Sequence, residues 1–481
     1  MTARRIGLFL GPLVFAITAI APPPVGMVGE AWLVAGLVAW MAAWWMTEAV
    51  PLPVTALLPF VGLPMFGVMT ARETASAYYA PILFLLLGGA FIALAIERTG
   101  LHRRLSLAIL KVIGSEGGQV RLLLAFMISA AILSGLISNT STTLIMMPMA
   151  LAVLAGGASL KSADGPAQTT GIYGALPMGI AFAATIGGLG TIVGSPTNGI
   201  AVQLLDDMIG LEISFAQWML FGLPIVLLGV PLACLIIARV QQVTAHPFDV
   251  AAARAAIDDH TAWTPAEKRL VPIIAITFAA WMTRRWVAPY LPEGSWTDGT
   301  IAVIAALSLF LLPDGTHDNG KTRPLLKWQE ADRAPWGVIL MFGGGLALAA
   351  GMQASGLADW LGQSLLPLET LPLFIVALAV VAMVVLVTEF ASNVATASAI
   401  IPVVASLAAG LGLGEAAILI AMPAALAASW GFILPAGTGP NAIAWSTGRL
   451  RIEKLVKAGL VLDLVGILMI VALVWGMATL T

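Results

Sequence analysis

Two polar elements interrupt long apolar stretches: ISNTSTTLIMMP, from Ile137 to Pro148, and ASNVATASAIIP, from Ala391 to Pro402. Two further apolar stretches are broken by Gly and Pro, at TIVGSPTNGIA (191–201) and ILPAGTGPNAIA (433–444). Gly and Pro unwind a helix and free its carbonyls. Ser, Thr and Asn add side-chain oxygens, and together these are hard, neutral ligands suited to Na+. The N-terminus of each resumed helix carries about half a positive charge and faces an anion well. None of the four elements contains Lys or Arg. An anion held here therefore needs bound cations to offset its charge. Glu389, beside Thr388, is the titratable group nearest these elements. It reads first as a carboxyl satisfied by nearby donors and second as a proton-coupling group.

These residues must be positioned inside a membrane. The 481-residue chain is 59% hydrophobic and only 10% charged, with a mean hydropathy of +0.97. A soluble domain carries about 25% charged residues. The apolar segments have helix length and no period-two alternation, which argues against a barrel. A net charge of −2 gives no reason to expect a nucleic-acid partner. The single cysteine, Cys234, excludes an intrachain disulfide, and the four His fall in polar loops. No metalloprotease, P-loop or nucleophile-elbow motif is present.

Eleven spans are predicted, at about 6–21, 31–48, 51–68, 80–97, 170–205, 211–240, 266–290, 299–313, 335–353, 414–448 and 456–479. Two more stretches, 120–155 and 370–410, are long enough to enter and return, and read as re-entrant hairpins tipped by the Ser-Asn elements. The layout places Arg4, Arg5, Arg98, Arg103, Arg104, Lys161, Arg239, Lys321 and Arg449 on one face, with Arg72, Arg284 and Arg285 as exceptions. The positive-inside rule then puts the N-terminus in the cytoplasm and the C-terminus outside. The segment 241–265 reads as a cytosolic arm, and Glu48 sits at the boundary of two spans.

The halves repeat. Gly88, Gly89 and Gly100 match Gly344, Gly345 and Gly356 at equal spacing; Ser138-Asn139 matches Ser392-Asn393; GSPTN matches GTGPN. Five spans, an odd number, separate the starts of the two units, so the repeat is predicted to be inverted. Inverted repeats with broken helices are the architecture of secondary transporters, whose substrate site lies where the breaks meet. The fold expected is an all-α polytopic membrane protein of about 11 helices plus two hairpins.

The two Ser-Asn tips, GSPTN and GTGPN, WWMTEAVPLPVTALLP and LLKWQEADRAPWGVILMFGGGLAL resemble the divalent anion/sodium symporter family over nearly the whole chain. That resemblance implies an elevator-type homodimer in the cell membrane that symports Na+ with C4-dicarboxylates such as succinate, malate and fumarate. It implies scaffold helices at 1–79 and 211–334, repeat cores at 80–210 and 335–448, and a C-terminal helix at 449–481. A first Na+ site would use Ser134, Ser138, Asn139 and Gly194, and a second Thr388, Ala391, Asn393 and Gly437. The substrate would meet Ser138, Asn139, Thr140, Ser195, Pro196, Ser392, Asn393, Val394, Thr438 and Gly439. Val394 stands where the fuller motif has Thr, and Gly439 where relatives have Pro. The rivals are an exchanger independent of Na+, a citrate or sulfate carrier, and, from another class, a channel or membrane enzyme. A channel needs a continuous polar path and an enzyme a positioned acid, base or metal set; the spans suggest neither.

Overall fold

The computed structural model describes residues 3–114, 118–157, 169–245, 247–255, 262–318 and 321–479. Lys161, His246, His260 and part of the expected arm lie outside the described residues. The chain begins with α1 (Ala3–Ile20), α2 (Gly29–Thr47), α3 (Leu52–Thr55), α4 (Leu58–Met65) and α5 (Ala71–Ala77). It continues with α6 (Ile82–Thr99), α7 (Leu101–Gly114), α8 (Gln119–Ser134), α9 (Asn139–Gly156), α10 (Ile172–Gly188), α11 (Pro196–Ile209) and α12 (Phe215–Gln241). After α13 (Val250–Ala255), α14 (Pro265–Val287) and α15 (Asp298–Leu311) come two strands, β1 (Pro313–Asp318) and β2 (Lys321–Pro324). The remainder is α16 (Trp328–Ala331), α17 (Trp336–Ala354), α18 (Leu357–Ser364), α19 (Leu373–Phe390), α20 (Asn393–Gly410), α21 (Ile418–Ala427), α22 (Gly439–Ser446) and α23 (Ile452–Ala478).

Among the described residues, nine helices are long and apolar enough to cross a membrane, and five shorter apolar segments accompany them. The protein is a multi-pass membrane protein. The 120–155 and 370–410 stretches each form two helices joined at a Ser-Asn turn, α8–α9 and α19–α20. The 170–205 stretch is one helix broken in the middle, and the 414–448 stretch is broken likewise.

Three departures from the sequence reading have simple causes. The chain is not purely helical, since β1 and β2 pair antiparallel with Pro313 opposite Pro324 and Asp318 opposite Lys321. This polar segment, PDGTHD to KTRP, lies outside the spans, where a hairpin costs nothing in lipid. Helix α7 has Arg103, Arg104 and Lys111 interleaved with leucines, so a hydropathy scan passes over it. In the expected arm, the helix that forms is short, Val250–Ala255, and it packs beside α9.

The centre of the molecule is α10, every residue of which is buried. Its sequence is apolar on all sides, as a helix enclosed on all sides must be. Small residues let its neighbours close in: a Cβ at Gly187 would stand 2.3 Å from the Ala131 carbonyl on α8. The Gly88 and Gly344 positions do the same elsewhere, against Ala302 and Ala56. Around the centre, one large core joins α8, α10, α12, α19, α21 and α23. Smaller cores lie under α6, α14 and α15, and under α2, α4 and α17. The halves interlock: α11, after the first break, packs on α20 of the second hairpin, and α22, after the second break, packs on α9 of the first.

Candidate functional site

Each hairpin tip is built by a serine cap. Ser138 precedes α9, and its hydroxyl accepts the Ser141 amide at 3.2 Å and donates to Ser141 Oγ at 3.0 Å. Ser392 precedes α20 and accepts the Ala395 amide at 3.2 Å. The asparagine that follows begins the helix. At the breaks, Pro196 and Gly439 begin α11 and α22, with Thr438 capping Asn441 at 3.2 Å. Proline suits the first turn because it lacks the N–H that would be orphaned there. The four resumed helices thus bring four N-termini, with orphan amides, to one place.

That place is a cavity of about 670 Å³. Its wall includes Ser138, Asn139, Thr140, Gly194, Ser195, Pro196, Ser392, Asn393, Val394, Gly437, Thr438 and Gly439. The first hairpin and the second break meet directly: a Cβ at Gly439 would lie 2.6 Å from Thr140 Oγ1. Val394 lines the cavity and also packs into the apolar cores on either side. The charged residues on the wall are Glu48, Glu97 and Arg333, the last two paired at 3.3 Å. Glu48 caps α2 in a left-handed conformation, φ 48°.

Ser134, Thr388 and Ala391 are not on the cavity wall; all three are buried. Ser134 Oγ donates to Asn139 Oδ1 at 2.7 Å. The same amide end of Asn139 faces the carbonyls of Gly194, at 3.1 Å, and Ala184, at 3.2 Å. Turned with nitrogen toward these groups, the amide has two N–H donors to offer to the three of them. Turned with oxygen toward them, it completes a set of oxygens that suits a hard cation. The second half repeats the arrangement. Thr388 Oγ1 lies 3.0 Å from Asn393 Oδ1 and 2.8 Å from the Ala428 carbonyl, with one hydrogen to share between them. Each set combines a hydroxyl, an amide and a carbonyl from the broken helix, directly behind a hairpin tip.

Asn198 and Asn441 serve the breaks themselves. The Asn198 amide donates to Gly188 and Thr191 carbonyls, both at 2.8 Å, and Asn441 donates to Leu434 at 3.2 Å. Thr191 closes the first break, donating to the Gly135 carbonyl at 2.6 Å and accepting the Gly194 amide at 2.9 Å. Glu389 holds the second: its two carboxylate oxygens accept the Ile433 and Leu434 amides, each at 2.9 Å. Of the exceptional arginines, Arg284 pairs with buried Asp298 at 2.9 Å. Sequence reading missed the Ala184 and Ala428 carbonyls, because a backbone oxygen leaves no trace in residue type. It also missed Asp463, although a carboxylate within the last span was signal enough.

Apolar helices around a polar cavity made from helix breaks define a polytopic membrane transport protein. The sequence model of the family described as "Sodium:sulfate symporter transmembrane region" matches residues 3–480, and the chain belongs to that family, whose members are transporters, not enzymes. It is 36% identical to the Sodium-dependent dicarboxylate transporter SdcS of Staphylococcus saprophyticus, over 98% of this chain and 91% of that one. The same protein of Staphylococcus aureus is 36% identical in one strain, with equal coverage. Among solved structures, the YdaH transporter of Alcanivorax borkumensis aligns with a TM-score of 0.56 at 15% identity, covering 98% of both chains. MtrF of Neisseria gonorrhoeae aligns with a TM-score of 0.53 at 12% identity, covering 98% and 94%. At these identities the likeness is one of fold.

Proposed function

We propose that the protein couples the inward movement of a C4-dicarboxylate, such as succinate, malate or fumarate, to Na+. The observation that carries this reading is the pairing of two hydroxyl–amide–carbonyl sets with four helix N-termini on one cavity. One carboxylate of the substrate is held at Ser138-Asn139-Thr140 beside Ser195 and Pro196, the other at Ser392-Asn393-Val394 beside Thr438 and Gly439. The first Na+ takes Ser134, Ser138, Asn139 and Gly194, and the second takes Thr388, Ala391, Asn393 and Gly437. Ala184 and Ala428 lie close enough to add their carbonyls.

Coupling follows from electrostatics. The hairpin tips and breaks contribute no Lys or Arg, and Arg333 on the wall is paired with Glu97, so a dianion there is met by helix dipoles, amides and hydroxyls. A Na+ about 5 Å from a carboxylate at an effective dielectric near 20 adds about 3 kcal/mol. Asn139 and Asn393 serve both ligands, one on each side, so each ligand raises the affinity for the other. The inverted repeat, its cores at 80–210 and 335–448 moving against scaffold helices at 1–79 and 211–334 in a homodimer, accounts for passage by an elevator step. The N-terminus lies in the cytoplasm and the C-terminus outside, in a cell membrane.

Uptake of radiolabelled succinate into proteoliposomes, with and without an inward Na+ gradient, tests the proposal. Uptake that requires Na+ is expected. Uptake indifferent to Na+ but driven by internal dicarboxylate would make the protein an exchanger. Failure of every dicarboxylate to compete, with competition by sulfate or citrate, would replace the substrate.

A further inference from the structure

Asp463 lies in the last helix, between Gly459 and Gly466 on one helix face. Both glycines press against the unwound segment after α21. A Cβ at Gly459 would stand 2.4 Å from the Phe432 carbonyl oxygen, and one at Gly466 would stand 2.0 Å from Trp430 Nε1. Asp463 is therefore delivered straight into this segment. Its residue is 3% exposed, and among the described residues neither carboxylate oxygen has a hydrogen-bond partner. What it meets is the carboxyl group of Glu389, with the Phe432 amide facing it short of hydrogen-bonding geometry. The Glu389 oxygens accept the Ile433 and Leu434 amides. Helix α21, which also packs on α23, carries no titratable side chain.

A buried carboxylate is tolerated when it is paired or coordinates a metal ion. Here the neighbour is a second carboxylate, and no arginine, lysine or histidine answers either one among the described contacts. The oxygens are hard donors of the kind that hold Na+. We propose that Asp463 and Glu389 form a further Na+ site, behind the second break and separate from the two Ser-Asn sets. The proposal rests on the Na+-coupled reading above. It places one more cation in the core, next to the segment whose residues Gly437 and Thr438 reach the cavity. Filling the site would hold residues 430–434 against α19 and α23, and so favour the arrangement of the second break that receives substrate.

The test is the number of Na+ ions moved per substrate, measured in proteoliposomes clamped at zero membrane potential. At a tenfold Na+ gradient, the opposing succinate gradient that stops net flux is expected to be about tenfold smaller for Asp463→Asn than for the wild type, the loss of one coupled ion. Asp463→Glu, which keeps the charge, is expected to retain wild-type coupling. An unchanged balance point in Asp463→Asn overturns the site. A balance point that follows an imposed pH gradient rather than one Na+ gradient step makes the cation a proton and overturns the Na+ assignment. Should Asp463→Asn fail to give a monodisperse protein, equilibrium binding of radiolabelled sodium to the wild type decides: three ions per chain support the site and two overturn it. A wild type without Na+ dependence would remove the functional reading itself, an outcome distinct from these.

Discussion

Gly194 is the residue where the cation reading is most open to a steric test. A Cβ built there would stand 2.6 Å from the Gly188 carbonyl oxygen and 2.9 Å from the Ser134 carbonyl oxygen. Ordinary contact begins near 3.4 Å, so Gly194→Ala requires a displacement of about 0.8 Å. Both obstacles are backbone, and neither can swing aside as a side chain would. Overpacking of this kind costs about 1–3 kcal/mol. The movement also carries the Gly194 carbonyl away from Asn139. If about 2 kcal/mol of the cost falls on the Na+-bound form, half-saturating Na+ rises about 30-fold. The matching residue in the second half provides the internal comparison. At Gly437 the nearest atoms to a Cβ are the Glu389 and Leu434 carbonyl oxygens, at 3.3 and 3.4 Å, so Gly437→Ala is expected to shift Na+ activation little. Gly29→Ala, with nothing within 4 Å, controls for the added methyl. The assay is Na+ activation of succinate uptake at fixed substrate, with Na+-dependent thermal stabilisation of the purified protein beside it. Wild-type Na+ activation in Gly194→Ala, or an equal shift in Gly437→Ala, would refute the steric reasoning.

Further expectations follow from the same geometry. Asn139→Ala and Asn393→Ala each remove an amide that the proposed site shares between cation and substrate, and each is expected to abolish Na+-dependent uptake while the protein still elutes as a folded species; normal transport by either disproves the site assignment. A Cβ at Gly439 would crowd the Thr140 hydroxyl, a side-chain group that rotates, so in Gly439→Ala stability is expected to hold while the relative uptake of succinate, malate and citrate changes, as read by competition. At the β1–β2 hairpin, burial alone would raise the Asp314 carboxyl, but hydrogen bonds from Thr316 and Arg98 outweigh it and hold the group below its ordinary value of 3.8. A lowered carboxyl contributes stability that is complete above the ordinary value and is lost as pH falls through the folded one. The melting difference between wild type and Asp314→Asn is therefore expected to be constant from neutral pH down to about 5 and to close below about 4. Closure near neutral pH would contradict that sign.

Much of this protein is legible in its sequence because lipid is a severe solvent. A chain with 10% charged residues has to satisfy its backbone within helices, so apolar length located most of the apolar helices, although the 51–68 stretch forms two short helices, α3 and α4. The same severity makes a Ser-Asn or Gly-Pro interruption conspicuous, and its recurrence pointed to a single site. Elements outside the spans escaped that logic. In α7 the basic residues dilute the apolar signal, and the β1–β2 hairpin is made of residues that suit any polar loop.

What the sequence determined by itself was the kind of ligand oxygen available: hydroxyls, amides and freed carbonyls, with no cation among them. What only the tertiary structure decided was which of these groups meet. It turned the Ser138 and Ser392 hydroxyls to capping their own helices. It drew Ser134 and Thr388 back behind the cavity wall, onto Asn139 and Asn393. It supplied the Ala184 and Ala428 carbonyls from helices that read as plain apolar runs, and it set Asp463 against a glutamate 74 positions earlier. The physical reason is the same throughout. Residue type fixes the chemistry a group can offer, whereas a backbone carbonyl or a buried carboxylate acquires its role from what helix packing brings within about 3 Å of it.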